Sequence, residues 1–164
     1  MHVRRATRAD LSSIHDIYSD AVMNTTASYD YEPRPMEHRI AWFETHEEQR
    51  LPMFVAENDA QQILGWSSLS RYHNRKGYQF TVENSVYVAA AHRGRGIGKL
   101  LMPPLIESAC ELKLRAIIAA IDAENRPSVR LHEQFGFAQV GHFKQVGFKF
   151  GRWLDVVYLE RLLP

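Results

Sequence analysis

Residues 83 to 101, ENSVYVAAAHRGRGIGKLL, pass from a β-branched and aromatic run, through glycines at alternate positions, into a leucine-rich segment. The pattern predicts a strand, a turn and a helix in immediate succession. Gly94, Gly96 and Gly98 permit backbone conformations and close approaches that a Cβ would block. Exposed N–H groups at a helix start bind phosphate, and Arg93, Arg95 and Lys99 put positive charge at the same place. The turn is therefore a candidate anion site, although its residues alone equally describe a flexible basic connector.

The rest of the chain predicts one mixed α/β domain over residues 1–164. At that length a single domain with a full core is expected, without disulfides or metal. HVRRAT reads as a first strand, and Thr7 with Asp10 resembles a capping box ahead of a helix carrying Leu11, Ile14, Ile17, Tyr18, Ala21 and Val22. A second helix follows from Met36 through Ile40 and Phe43. LPMFVAE and QILGWSSLS form a hairpin around residues 57–60. After the glycine turn, Leu100, Leu101, Leu105, Ile106 and Ala109 mark a helical face in which Pro103 and Pro104, near the first turns, predict distortion. RAIIAAI is expected to be a strand buried on both faces. Asn125 caps a short helix with Pro127 in its first turn and Gly136 at its end. AQVGHFKQV and WLDVVYLERL complete the sheet.

Composition excludes several functions. A net charge of +1 argues against a nucleic-acid binder, so any anion site is local. No apolar run approaches ~18 residues, and no secretory signal opens the chain, so neither membrane insertion nor export is expected. The single Cys110, expected in the core, is consistent with a reducing compartment, and the cytoplasm is the default location. The histidines outside the helix after Asn125 show no metal-ligand spacing, so no metal is expected.

Two common phosphate loops fail on inspection. A Walker A loop is excluded because Arg93 stands at its first glycine and Leu100 at its hydroxyl position. The dinucleotide fingerprint fails because its third glycine comes one residue early. What is met is R-x-x-G-x-G, by Arg93, Gly96 and Gly98, with Asn125 and LHEQFGF downstream. Together these resemble the GNAT superfamily of N-acetyltransferases. TVENSVYV, AENRPSVRLHEQFGF, VGFKFGRWLDV and the early IYSDAVMNTTASYD…RIAWFE resemble its phosphinothricin and methionine sulfoximine N-acetyltransferase branch, from about Val3 to Leu159.

The resemblance implies a GNAT (acyl-CoA N-acyltransferase) fold: one mixed, mostly antiparallel sheet flanked by helices, with splayed central strands. It implies acetyl-CoA as co-substrate, held at Arg93, Gly94, Arg95, Gly96, Ile97, Gly98 and Lys99, along the backbone of Val86, Tyr87 and Val88, and at Asn125 and Ser128. Acetyl transfer to an amine requires a base, a stabilised oxyanion and a proton for the leaving thiolate. Glu83 matches the branch's general base; by its residues alone it reads more readily as a surface carboxylate at a strand end. His132 stands where many relatives carry a tyrosine that protonates the thiolate, and it is either that acid or a packed helix histidine.

For the acceptor, Asn24, Thr25, Tyr29, Tyr72, His73, Arg75, Tyr78 and Phe80 are the candidate contacts, with Arg75 available for a carboxylate or phosphinate. The sulfoximine pattern has arginines where this chain has His73 and Gln79, and Phe150 and Leu154 replace histidines of streptomycete-type phosphinothricin enzymes. The resemblance thus implies acetylation of a small amino acid or analogue by a homodimer. A protein N-terminus or polyamine acceptor, and a non-catalytic coenzyme A sensor, are the alternatives; the basic YHNRKGY argues against a polyamine and Glu83 against a sensor.

Overall fold

A computed structural model describes residues 1–164. Seven strands, β1 (His2–Arg5), β2 (Met53–Glu57), β3 (Ile63–Arg71), β4 (Thr81–Val88), β5 (Ala116–Asp122), β6 (Ala138–Lys149) and β7 (Arg152–Leu162), form one sheet in the order β1-β2-β3-β4-β5-β7-β6. Only β4 and β5 run parallel. Four helices cover it: α1 (Leu11–Asn24), α2 (Met36–Gln49), α3 (Ile97–Glu111) and α4 (Arg126–Gln134).

Side-chain alternation along the strands divides the core in two. On one face, Leu101, Leu105 and Ala109 of α3 and Val129 of α4 pack with Val82, Ile117 and Leu159. On the other, Leu11, Ile14 and Ile17 of α1 and Phe43 of α2 pack with Met53, Val55 and Trp66. Strand β4 consequently sends Val82, Asn84, Val86 and Val88 toward α3 and α4, and Tyr87 toward α1 and α2. Glu83 and Ser85 share the face of Tyr87 by the same alternation.

The parallel pairing of β4 with β5 is short. It holds for Thr81, Val82 and Glu83 against Ala116, Ile117 and Ile118, and then stops. From Asn84 to Val88 on one strand and from Ala119 to Asp122 on the other, the strands diverge, which is the splay expected of the family. Strand β5 is therefore not buried throughout: Ala120 is exposed at the opening.

Two other expectations change. Pro103 and Pro104 sit in the middle of α3, not in its first turns, and the helix runs unbroken from 97 to 111. The carbonyls they deprive of donors belong to Lys99 and Leu100, both on the exposed side where water can serve them. Cys110 is exposed, because the core stripe of α3 runs through Leu101, Leu105 and Ala109 and leaves position 110 outside. No helix is long and apolar enough to cross a membrane.

Candidate active site

The glycine turn adopts the conformation its sequence demands. Gly94 and Gly96 have φ of 77° and 80°, left-handed values that a Cβ would penalise, and Gly96 forms the N-cap of α3. From residue 94 to 98, no backbone N–H donates to any protein acceptor. Five consecutive free donors meeting the positive end of a 15-residue helix make a cradle for phosphate oxygens. A groove of about 750 Å³ leads from it between α4, β4 and the end of α1.

The predicted cofactor residues divide by what their side chains do. Gly94, Gly96, Gly98, Lys99, Val86, Tyr87, Val88, Asn125 and Ser128 line the groove. Arg93 lines it too, but its Nε donates to Val88 O at 3.2 Å and its Nη2 pairs with Asp20 at 3.4 Å, tying the turn to β4 and α1. Arg95 and Ile97 are not in the lining: Arg95 is exposed, the Ile97 side chain is in the core, and the backbone N–H of each is unpaired. A Cβ on Gly98 would lie 2.9 Å from Leu131 Cδ2; its absence sets how closely α3 approaches α4. Arg130 lines the groove as well and was not foreseen.

The groove meets the splay between β4 and β5 at five shared walls, Ala27, Val86, Tyr87, Asn125 and Ser128. Beyond them lie Glu83, Asn84, Ser85 and His132. Asn125 caps α4 by accepting from Ser128 N at 3.3 Å. Glu83 is half-buried at the last paired position of β4, and its carboxylate accepts no hydrogen bond from the protein. Burial alone pushes its pKa above the ordinary carboxylate value. An unpartnered carboxylate with raised proton affinity at the mouth of the splay is suited to take a proton from an amine.

His132 is buried on the opposite face of β4. Its Nδ1 lies 2.7 Å from Ser128 O, which can only accept, so Nδ1 carries the proton. Burial lowers its pKa, so the ring is neutral and Nε2 is a lone pair, 2.9 Å from Asn84 Nδ2. Both ring nitrogens are thus committed, and the amide donates to the ring.

The predicted acceptor residues fall in different places. Tyr72, His73, Arg75, Tyr78 and Phe80 are all exposed beyond the end of β3. Tyr72 and Tyr78 meet edge to face at 5.6 Å, and His73 lies 5.2 Å from Tyr78. Ser70 pairs with Glu83 and Tyr72 N donates to Thr81 O at 3.3 Å, so this cluster begins two residues beyond the base along the β3–β4 ladder. Asn24 is exposed, bonds Asp20 on its own helix and lines neither the groove nor the splay. Thr25 lines the long groove rather than the Glu83 end. Tyr29 donates to Asp155 O at 3.3 Å, and its hydroxyl is pushed up to about 12, by burial first and then by the carboxylates of Asp122 and Asp155.

That loop is held by a lysine the sequence did not single out. Lys149, almost fully buried on β6, donates to Val22 O at 2.6 Å, Thr25 O at 2.9 Å and Ser28 O at 2.7 Å. It closes the C-terminal end of α1, where carbonyls lack helical partners. Asn84 and Ser85 were also missed; alternation from Glu83 could have placed Ser85 beside it, but Asn84 gains meaning only against His132.

No group of three or more His, Cys, Asp or Glu side chains is placed to share a metal ion. A splayed parallel pair fed by a helix-start phosphate cradle is the architecture of an acetyltransferase that uses acetyl-CoA. The model of the acetyltransferase (GNAT) family matches residues 13–137, and the chain belongs to that family. It is 42% identical over 158 residues to an L-methionine sulfoximine/L-methionine sulfone acetyltransferase of Pseudomonas aeruginosa, covering 96% of this chain and 92% of that one. With a phosphinothricin N-acetyltransferase of Streptomyces coelicolor it shares 38% identity, over 99% and 96% of the two chains. A crystal structure of a GNAT superfamily phosphinothricin acetyltransferase from Sinorhizobium meliloti, in complex with acetyl-CoA, superposes with a TM-score of 0.95 at 37% identity, covering 98% of this chain and 87% of that one.

Proposed function

We propose that the protein transfers the acetyl group of acetyl-CoA to the α-amine of a small amino acid or amino-acid analogue of the methionine sulfoximine, methionine sulfone or phosphinothricin type. The observation that carries this reading is Glu83: a half-buried carboxylate with no protein partner, where β4 and β5 part. The names of the relatives supply the acceptor class.

Acetyl-CoA supplies the acetyl thioester. The free N–H row of residues 94–98, with Lys99, is suited to its pyrophosphate. The open edge of β4 at Val86, Tyr87 and Val88 offers backbone groups to the pantetheine arm, as a partner strand would. Asn125 and Ser128 face the same arm while Asn125 caps α4.

Glu83 receives the proton of the acceptor's ammonium, directly or through water, and leaves a nucleophilic amine. The C–N bond forms at the thioester carbonyl, the C–S bond breaks, and the second proton lost by the nitrogen goes to the departing thiolate, which leaves as the free thiol. The aromatic cluster of Tyr72, His73, Tyr78 and Phe80, with Arg75, receives the acceptor's side chain at the open mouth beyond Glu83. Asn24, Thr25 and Tyr29 act on the site through the loop that Lys149 fixes, Thr25 also bordering the cofactor groove. His132 acts by holding Asn84 and the start of α4 in place, since its ring carries no proton on the nitrogen facing the splay.

The protein acts as a cytoplasmic homodimer in this reading. Val140, Phe143, Val146, Phe148, Phe150 and Trp153 are exposed along the β6–β7 edge, Trp153 at 62%. An edge strand carrying that much apolar surface is suited to a second copy.

The test follows free thiol release from acetyl-CoA across phosphinothricin, methionine sulfoximine, methionine sulfone, ordinary amino acids, a polyamine and a short peptide. Turnover concentrated on the amino-acid analogues is the expected result. Turnover confined to the peptide or polyamine, or none with acetyl-CoA still bound, would overturn the acceptor assignment.

A further inference from the structure

A second cavity, of about 360 Å³, opens on the face of β4 that α1 and α2 cover. At its centre is Arg39 of α2. Its guanidinium carbon lies 4.7 Å from the ring centres of Tyr18 and Trp42 and 5.5 Å from that of Trp66. Rings on its faces leave only the in-plane edge of the guanidinium for hydrogen bonding.

Nothing in the protein takes that edge. Arg39 forms no salt bridge, and its Nε is buried without a partner. Trp66, in the same lining, has its indole Nε1 buried without a partner too. The one carboxylate in the lining, Asp30, is occupied by the Tyr18 hydroxyl at 2.8 Å and by Arg34 at 3.4 Å. A desolvated guanidinium beside a cavity that holds no free carboxylate is costly unless a ligand brings an anion. A planar anion matches a guanidinium edge flanked by rings, because a carboxylate can accept two parallel N–H bonds in that plane.

The cavity shares a wall with the catalytic opening. Ser85 and Tyr87 line both it and the gap that holds Glu83. Glu83 and Ser85 are two residues apart on one face of β4, roughly 7 Å along the strand.

We propose that Arg39 binds the α-carboxylate of the acceptor and so turns its α-amine toward Glu83. This rests on the amino-acid acceptor proposed above, and it leaves Arg75 at the open mouth for the side-chain end. Arg39 is then the residue that makes the enzyme select free amino acids over amines without a carboxylate.

The test compares L-methionine sulfone with its α-carboxamide in the wild type and in Arg39→Gln and Arg39→Lys, with melting temperature and acetyl-CoA binding as folding controls. Wild type should prefer the acid. Arg39→Gln should lose about 10–100-fold in kcat/KM for the acid, chiefly through KM, and change little for the amide, so that the preference collapses. Arg39→Lys should fall between, and it substitutes for Arg39→Gln if that variant does not fold. An acid-to-amide ratio unchanged in a folded variant overturns the proposal while leaving the amino-acid reading intact. If the wild type acetylates no free amino acid, that reading falls, and quenching of tryptophan emission by 4-(methylsulfonyl)butanoate decides the subsite. Saturable quenching lost in the Arg39 variants would support it as a carboxylate site; no quenching would remove it.

Discussion

Asn84 Nδ2 lies 2.9 Å from His132 Nε2, and the histidine accepts. The direction follows from the other end of the ring, where Nδ1–H donates to Ser128 O. A helix histidine is thereby locked as a neutral acceptor against the strand that carries the base. Replacing His132 by Ala strands the buried Asn84 amide, and thermal unfolding should show a loss of about 1–3 kcal/mol. If His132 instead supplies a proton to the thiolate, its replacement abolishes one limb of the pH–rate profile; with a positioning role the profile keeps its shape.

Glu83→Gln should reduce turnover by roughly 10²–10⁴-fold with acetyl-CoA affinity retained. Because burial raises its proton affinity, activity should fail on acidification at a higher pH than an ordinary carboxylate would cause. The folded state also binds that proton more readily than the unfolded chain, so its charged form opposes folding above the raised pKa. Glu83→Gln should therefore melt no lower than wild type at neutral pH. A variant both inactive and strongly destabilised would count against its role as a base.

Two buried histidines set an acid limit on stability. His46, with Nδ1 2.7 Å from Trp42 O and Nε2 3.0 Å from Ser70 Oγ, and His132 both have pKa values lowered below the ordinary 6.5, burial being the first cause. Between the lowered values and 6.5 the unfolded chain holds more protons, so stability rises with pH across that window. Melting temperature should fall as pH drops from 6.5 through that window, and His46→Gln should flatten the dependence.

Lys149→Met keeps the length of the side chain and removes its donors. The carbonyls of Val22, Thr25 and Ser28 then lose their shared partner. Unfolding experiments should register a cost of about 1–3 kcal/mol, with KM rising as the loop after α1 loosens.

Phe150→Asp combined with Trp153→Asp should leave a folded monomer by light scattering. The two side chains are 58% and 62% exposed, so the charges cost the isolated chain little. A protein whose mass is unchanged by the pair does not dimerise through this edge.

Residues 83 to 101 determine the most by themselves. A strand, positive-φ glycines and a helix start are local properties, fixed by sterics within a few residues. The cradle, the cap at Asn125 and the alternation that puts Glu83 on one face of β4 are therefore legible in the sequence, and the order of the four motifs indicates the family.

What the tertiary structure alone decides involves pairs distant along the chain. The splay depends on where β4 stops pairing with a strand that begins 28 residues after it ends. His132 is a neutral acceptor only because Asn84 and Ser128 O occupy its two nitrogens. Lys149 meets carbonyls more than 120 residues away. Arg39 looks in the sequence like one more charge on a polar helix. Burial among three rings, with its Nε left unpartnered, gives it a different meaning. Desolvation and partner occupancy are properties of a site, and a site exists only once the chain has folded around it.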